Sequence, residues 1–356
     1  MAEQKPRVAV LFGGQSAEHD VSLMSARNIA GALGAAGYAV TLIAIDRDGR
    51  WYLAEEIAEP RSGWPLVTLA PGGGGALYAL GRPGAPVATL DLVFPALHGP
   101  FGEDGSLQGL LKLAGVACVG SGILASSVGM DKDVAKRLLA ASGIPVVKTL
   151  TFTQADAPDF AIAQKELGLP LFVKPANLGS SVGVSKVYDQ QGYDAALRAA
   201  FSFDHKVLAE ANAEGQEIEC AVLERNGLEA SLPGEIVPVG NEGFYSYDAK
   251  YIDEDGAKLH APAALSASVV RQVQDLSIKV ARVLGCNGMV RVDYFLKANG
   301  ELLVNEINTL PGFTAISMYP KLWEVSGIKP ADLVSHLVDE ALARFARDKA
   351  LKTGRA

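Results

Sequence analysis

Two apolar segments near the C-terminal end of the sequence are spaced like the strands of a β-hairpin. They are Gly288–Leu296 and Leu302–Asn308, and Ala298-Asn299-Gly300-Glu301 lies between them. Asn-Gly between apolar strands favours a two-residue type I′ turn, because both central residues of that turn need a positive φ. We therefore predict that Ala298 pairs with Glu301 across the turn.

Counting back along both strands from this turn places two acids opposite each other. Asp293 pairs with Glu306, Arg291 pairs with Asn308, and the alternation of side chains puts all four on one face. Directly opposed Cβ atoms lie about 4.5–5.5 Å apart, where two carboxylates repel. A divalent cation removes this penalty, and two carboxylates with one amide suit Mg²⁺ completed by phosphate and water. The pattern predicts a magnesium–nucleotide site; alternatively, Arg291 neutralises both acids in an ion network.

A lysine followed by a loop rich in glycine and serine forms a second candidate site. The apolar strand Leu171–Lys174 precedes the loop Ala176–Gly183, which contains Ser180 and Ser181. Glycines allow close backbone approach, serines donate hydrogen bonds and lysine supplies a cation. The combination suits the phosphate tail of a nucleotide, although it lacks the spacing of a Walker motif. An exposed loop tip without a ligand is the alternative.

The first strand of the sequence ends in a glycine pair that precedes an acidic residue. The segment Gly13–Glu18 does not fit GxGxxG, and no acidic residue at the end of a second strand suits a ribose, so a dinucleotide site is disfavoured. Glu18 stands at a predicted helix start. Its carboxylate either stabilises the helix dipole or holds the ammonium group of a small substrate.

Length and composition limit the class of protein that positions these residues. At about 100–200 residues per domain, 356 residues suggest two or three domains. The net charge of −8 gives no support for a nucleic-acid partner, and no apolar run is long enough to cross a bilayer. Met1–Arg7 lacks the apolar segment of a signal peptide, so we expect a cytoplasmic protein. The three separated cysteines are expected to stay reduced.

The element pattern predicts an α/β region followed by an α+β region, with domains at residues 1–122, 123–230 and 231–356. Strands alternate with helices in the first domain, as in a parallel sheet with crossover helices. Pro60–Gly84 is rich in proline and glycine and is predicted to be a surface excursion. Apolar residues at three- and four-residue steps predict a long helix over Val269–Val283. A C-terminal helix is predicted at Pro330–Arg347.

With these residues in hand, the chain resembles the D-alanine–D-alanine ligase family of ATP-grasp enzymes from Val8 to Arg347. The family's motifs occur in order, at Gly13–Ser22, His98–Gly105, Lys174–Gly183, Tyr245–Tyr251, Arg291–Asp293 and Glu306–Gly312. The resemblance implies an N-terminal α/β domain with a Rossmann-like parallel sheet, followed by an α+β ATP-grasp fold of two subdomains. It also implies ATP as co-substrate, two Mg²⁺ or Mn²⁺ ions per site and a homodimer.

The resemblance implies that one D-alanine is phosphorylated by ATP to an acyl phosphate, which the amine of a second D-alanine then attacks. Related ligases use D-lactate or D-serine as acceptor, and a non-catalytic nucleotide-binding protein of the same fold is a further alternative. Gly240–Gly256 resembles a closing loop, and its Tyr251 favours an amine acceptor.

The resemblance also assigns roles to individual residues. The nucleotide ligands it implies are Lys136 (a surface charge by sequence alone), Lys174, Ser181, Glu210, Ala211, Ala213, Glu217 and Lys250. Asp293, Glu306 and Asn308 match the metal ligands. The substrate and oxyanion residues it implies are Glu18, linked through Ser180 to Tyr251, with His98, Arg291, Gly312, Ser317 and Met318.

Overall fold

The structure is a computed structural model that describes residues 5–82, 84–239 and 257–352. The strands are β1 (Arg7–Gly13), β2 (Ala39–Ile45), β3 (Trp51–Ala54), β4 (Val67–Leu69), β5 (Ala76–Ala79), β6 (Ala88–Thr89), β7 (Leu92–Pro95), β8 (Ala117–Cys118), β9 (Thr149–Thr153), β10 (Leu171–Pro175), β11 (Ser185–Val187), β12 (Lys206–Ala211), β13 (Gln216–Glu224), β14 (Leu228–Ala230), β15 (Gly234–Pro238), β16 (Ala257–His260), β17 (Met289–Leu296) and β18 (Leu302–Asn308). The helices are α1 (His19–Ala35), α2 (Ser106–Ala114), α3 (Ile123–Met130), α4 (Lys132–Ala141), α5 (Phe160–Leu167), α6 (Gln190–Phe201), α7 (Ala267–Val283), α8 (Met318–Val325) and α9 (Pro330–Lys349).

The first sheet has the order β3-β2-β1-β7-β8, with β2, β1, β7 and β8 parallel and β3 antiparallel at the edge. Its central strand carries the fully buried run Val8–Phe12, as expected when both faces of a parallel sheet are covered. The strand ends at Gly13, where φ is +91° and a Cβ atom would lie 2.2 Å from the carbonyl oxygen of Ile45. Only glycine can start the turn that leads to α1 and Glu18.

The segment Pro60–Gly84, predicted as a surface excursion, contains strands β4 and β5. These two strands and β6 form a small antiparallel sheet. Val67, Leu69 and Leu77 are buried in the same apolar cluster as the first sheet. Part of this segment is therefore packed in the core of the first domain rather than being a surface excursion, and its composition rich in glycine and proline did not indicate the two short strands.

The second and third sheets are largely antiparallel and form the walls of the site. One has the order β11-β10-β12-β9 and is packed against α5 and α6. The other has the order β16-β15-β13-β17-β18, and β14 pairs with β13. Helix α7 packs against this sheet through Val273 and Val280, in agreement with the predicted periodicity.

The β17–β18 hairpin corrects one part of the sequence prediction. The turn has a three-residue loop instead of the predicted two-residue type I′ turn. The backbone N–H of Gly300 donates to the carbonyl oxygen of Lys297, and the backbone N–H of Lys297 donates to the carbonyl oxygen of Glu301. Gly300, with φ at +85°, takes the left-handed position of such a loop. A bulge then shifts the register by one residue at Asn305. The two shifts cancel, so Asp293 pairs with Glu306 as predicted.

Within the described ranges, every helix is too short or too polar to cross a lipid bilayer.

Candidate active site

A cavity of about 420 Å³ lies between the second and third sheets. The residues predicted to bind nucleotide that line it are Lys174, Ser181, Glu210, Ala211, Ala213 and Glu217. Phe172 and Phe295 are also in its lining and supply apolar surface, while Lys174 and Lys186 supply positive charge. A cavity with an apolar part and a cationic part matches a ligand that has a flat ring and a phosphate tail.

In the wall of this cavity, the carboxylate of Glu210 is buried between two ammonium groups. Glu210 Oε2 lies 2.6 Å from Lys174 Nζ, and Glu210 Oε1 accepts a hydrogen bond from Lys136. Burial acts to raise the pKa of Glu210, but the two lysine charges outweigh burial and lower it. Burial and the charge of Lys174 lower the pKa of Lys136 to about 8. Lys136 is thus a buried charge, 5% exposed, rather than the surface charge that its helix suggests.

The serine loop, residues 176–183, has an unusual backbone. Ser180 and Ser181 adopt φ values of +50° and +60°, which residues other than glycine rarely adopt. Such conformations persist where surrounding contacts enforce them, and they concentrate at functional sites. Here the backbone N–H of Asn177 donates to Asp204 Oδ2 at 2.8 Å, and Ser180 Oγ donates to Glu18 Oε1. The second contact joins the loop to the first sheet's glycine turn.

A second cavity of about 80 Å³ meets the first at Glu306, which lines both. The predicted substrate and catalytic residues that line this smaller cavity are Glu18, His98, Ser180, Arg291, Gly312, Ser317 and Met318, and the predicted metal ligand Asn308 lines it as well. Such a convergence of polar side chains on a small concave space is typical of a binding site for a small, charged molecule.

Arg291 is the main positive charge of the small cavity. Its guanidinium donates to both oxygens of Asp293 at 2.7 Å and lies 3.0 Å from Glu219 Oε2. Burial acts against the charged form, but Asp293 and Glu219 hold the pKa of Arg291 well above its usual value. Sequence reasoning missed Glu219, which is on β13 opposite Asp293 in the register.

The opposed acids have different partners in the structure. Asp293 is bound by Arg291 and accepts from Asn308 Nδ2 at 3.0 Å, whereas Glu306 Oε2 lies 3.6 Å from Lys132 Nζ. Among the described residues, no group of three or more His, Cys, Asp or Glu side chains is arranged to hold a metal. The two carboxylates and the Asn308 amide still form an oxygen donor set that fits Mg²⁺ or Mn²⁺, with phosphate and water as further ligands. For this role the amide must present its oxygen.

His98 is a neutral, fixed side chain. Its Nδ1 lies 3.2 Å from the carbonyl oxygen of Leu310, which can only accept, so Nδ1 carries the proton. Nε2 then accepts from Ser25 Oγ at 2.9 Å. Burial lowers the pKa of His98, which keeps the ring neutral.

The far end of the small cavity is shaped by two glycines. A Cβ atom at Gly312 would lie 2.9 Å from Ser317 Oγ, which accepts from the Thr314 amide at 2.9 Å. A Cβ atom at Gly234 would lie 2.1 Å from Met318 Cε. The missing side chains therefore allow Ser317 and Met318 to occupy the cavity wall.

Two predicted residues, Lys250 and Tyr251, are in the segment 240–256, outside the described residues, as is the predicted closing loop. Conversely, Lys132, Glu103 and Asn305 line the cavities without having been predicted. Asn305 is the extra residue of the bulge in β18, and the sequence pattern did not indicate this bulge.

Comparison with known proteins places this geometry in a family. Residues 7–121 match the family model described as D-ala D-ala ligase N-terminus, and residues 138–339 match D-ala D-ala ligase C-terminus. The chain belongs to the D-alanine–D-alanine ligase family. Its fold is therefore that of ATP-grasp enzymes, and ATP is the co-substrate of the family.

Relatives match over nearly their whole length. The D-alanine–D-alanine ligase of Shouchella clausii is 50% identical over 98% of both chains. The D-alanine–D-alanine ligase structure from Coxiella burnetii has a TM-score of 0.86 at 38% identity and covers 98% of this chain and 97% of its own. VanG D-Ala:D-Ser ligase from Enterococcus faecalis has a TM-score of 0.82 at 34% identity, over 95% and 100%.

Proposed function

We propose that this protein ligates two D-alanine molecules to D-alanyl-D-alanine through a D-alanyl phosphate, releasing ADP and phosphate for peptidoglycan synthesis. Relatives that are 50% and 49% identical are named D-alanine–D-alanine ligases. The observation that supports the proposal is that Glu306 lines both cavities, the larger of which suits a nucleotide and the smaller a small charged molecule.

In the first step, the carboxylate of one D-alanine attacks the γ-phosphorus of ATP, an O–P bond forms and ADP leaves. Glu18 holds the ammonium group of this D-alanine, and the Ser180 hydroxyl orients the Glu18 carboxylate. Lys136, Lys174, Ser181 and Lys250 hold the phosphates. Catalysis is then mainly positioning and electrostatics, since phosphoryl transfer needs little covalent help from the protein.

Asp293, Glu306 and Asn308 would hold a divalent cation, which would supply positive charge to neutralise the phosphates. We propose two Mg²⁺ or Mn²⁺ ions per site, which the oxygen donor set suits.

In the second step, the amine of the second D-alanine, having lost a proton, attacks the acyl carbon and phosphate leaves. Arg291 and the backbone N–H of Gly312 stabilise the tetrahedral oxyanion. Ser317 binds the acceptor carboxylate, and Met318 contacts its methyl group. The family resemblance of residues 240–256, which include Tyr251, supports a closing loop that would protect the acyl phosphate from water.

The finer architecture is also a proposal. The two ATP-grasp subdomains are residues 123–230 and 231–356, and the first of them contains the whole second sheet and contributes β13 and β14 to the third sheet. Glu210, Ala211, Ala213 and Glu217 lie around the adenosine. We further propose a cytoplasmic homodimer without nucleic-acid or membrane partners. The need for cellular ATP supports the cytoplasmic location, and the family resemblance supports the homodimer.

Incubation with Mg-ATP and D-alanine, followed by mass spectrometry, tests this function. We expect the dipeptide together with equimolar ADP and phosphate. Asp293→Ala and Glu306→Ala should each lower turnover about 10²–10³-fold, the size of effect seen when one electrostatic stabiliser is removed. Wild-type protein that forms no dipeptide would overturn the proposal, and near-normal activity of both variants would overturn the metal assignment.

The neighbouring D-Ala:D-Ser ligase makes the acceptor the point to check. Parallel reactions with D-serine or D-lactate as the second substrate, at neutral pH, distinguish the alternatives. A larger kcat/KM for either one than for D-alanine would change the assigned acceptor while leaving the phosphorylation step intact.

A further inference from the structure

Gly234 is the first residue of β15, and neither the sequence motifs nor the proposed mechanism uses it. We propose that Gly234 is a positioning residue that sets the specificity for the acceptor. The space left by its missing side chain keeps the end of the Met318 side chain out of the small cavity, so that the cavity admits an acceptor with a methyl side chain. The inference rests on the proposed function and deepens it, because it concerns the side chain of the second amino acid.

The backbone does not require glycine at this position. Gly234 pairs with Glu219 in a regular antiparallel ladder, and its φ is outside the positive range that favours glycine. A glycine in a strand often marks a place where other atoms approach the backbone closely. Space rather than backbone conformation therefore explains this residue.

Helix α8 fills the space next to Gly234. Met318 and Leu322 lie on one face of α8 and are 3% and 0% exposed. A Cβ atom at Gly234 would lie 2.1 Å from Met318 Cε and 2.8 Å from Leu322 Cδ2. The carbonyl oxygen of His260 would be 3.2 Å from the same atom. The end of the Met318 side chain thus occupies the position of the absent side chain.

A methyl group added at Gly234 would displace Met318 towards the substrate. Leu322 is fully buried and the His260 carbonyl belongs to the paired strand β16, so close packing holds both in place. Met318 is the adaptable partner, because its side chain has three rotatable bonds. Ile236 is on the same face of β15 as Gly234 and lines the small cavity together with Met318. The cavity holds about 80 Å³, so the displaced side chain would compete with the acceptor for space.

The test is a competition between two acceptors. Each variant is incubated with Mg-ATP, D-alanine and an equal concentration of glycine, and mass spectrometry gives the ratio of D-alanyl-glycine to D-alanyl-D-alanine. Fragment ions identify the dipeptide in which glycine is the acceptor rather than the donor. Because both products form on the same active molecules, the ratio does not depend on how much of a variant is folded. A purely structural loss would therefore leave the ratio unchanged.

The variants are Gly234→Ala, Met318→Ala and the double variant, with Gly129→Ala as the matched control. Gly129 is a buried glycine of α3 whose Cβ atom would lie 2.8 Å from Thr309 Cγ2, and Thr309 lines neither cavity of the site. If Gly234→Ala forms no dipeptide, it is combined with Leu322→Val and compared with Leu322→Val alone. Valine lacks the Cδ2 atom that the added methyl group would contact.

We expect Gly234→Ala to raise the ratio of D-alanyl-glycine to D-alanyl-D-alanine about tenfold over that of the wild type, because one methylene group in an apolar pocket changes specificity by about 10–200-fold. In the Met318→Ala background, Gly234→Ala should change the ratio less than about twofold, and so should Gly129→Ala in the wild-type background.

An unchanged or lowered ratio in Gly234→Ala would overturn the inference. An equal rise with and without the Met318 side chain, or an equal rise in Gly129→Ala, would overturn it as well. Wild-type protein that forms no dipeptide would instead overturn the proposed function.

Discussion

Two buried glutamates of this protein, Glu210 and Glu103, have opposite electrostatic surroundings. They are 3% and 7% exposed, so burial alone does not separate them. Glu210 lies between Lys136 and Lys174, whereas the Glu103 carboxyl group accepts a backbone hydrogen bond from Gly99 at 2.8 Å.

The two environments push the two carboxyl groups towards different protonation states. The lysines lower the pKa of Glu210 despite burial, which keeps it charged. Burial and the nearby charge of Glu18 raise the pKa of Glu103 to about 8, so that it is protonated at neutral pH. Neighbouring charges thus decide the charge of a buried acid.

The largest expected effect follows from removing the charge between the two lysines. Glu210→Gln leaves two buried ammonium groups without their counterion, and breaking a buried pair in this way costs about 3–5 kcal/mol. Urea unfolding followed by circular dichroism measures the loss. Glu166→Gln is the control, since Glu166 forms an exposed ion pair with Lys148 at 3.1 Å that is worth about 0–1 kcal/mol. Equal losses in both variants would contradict the comparison.

A smaller effect is expected in the pH dependence of stability. Above pH 4.5 the unfolded chain ionises Glu103, while the folded protein keeps its proton up to about pH 8. The folded state therefore binds more protons in this window, and Glu103 makes stability fall as pH rises. The free energy of unfolding of Glu103→Gln, relative to that of the wild type, should therefore increase on the order of 1–3 kcal/mol from pH 5.5 to pH 8.

Unfolding curves at the two pH values measure this gain. Glu301→Gln is the control, because Glu301 is on the hairpin turn with its side chain 43% exposed. A Glu103→Gln gain no larger than that of the control would show that Glu103 is ionised in the folded protein.

The smallest effect is expected for the same variant at pH 5.5. Glutamine has nearly the shape of a protonated glutamate, and its amide oxygen can accept the Gly99 N–H. Glu103→Gln should therefore change the unfolding free energy by less than about 1 kcal/mol, whereas Glu103→Leu leaves that donor unsatisfied at a cost of about 1–3 kcal/mol. If Glu103→Gln and Glu103→Leu lower the free energy of unfolding by the same amount at pH 5.5, Glu103 is not protonated at that pH.

The hairpin illustrates how much the sequence could predict. Its two strands and the pairing of Asp293 with Glu306 were predicted correctly from the alternation of apolar residues and the Asn-Gly turn. The predicted turn type was wrong. The predicted pairing of Asp293 with Glu306 is nevertheless correct, because the bulge at Asn305 compensates for the longer loop. Bulges depend on how the strand packs against its neighbours, and a pattern of side-chain types does not reveal them.

The lysines show where sequence reasoning stops. Lys174 is recognisable because a buried strand ends in it next to a serine loop. Lys136 and Lys132, on an ordinary amphipathic helix, give no such sign, and their partners Glu210 and Glu306 are far away in the chain. The family resemblance supplied Lys136, and neither it nor the motifs supplied Lys132.

By itself, the sequence determined the local elements, the facing acids of the hairpin and the family, because periodicity, turn residues and motifs are short-range properties. The tertiary structure alone decided which charges meet, which carboxyl group keeps its proton and how two cavities join at Glu306. The physical reason is that charge pairing depends on distance and burial between segments that are distant in the chain, and packing sets both.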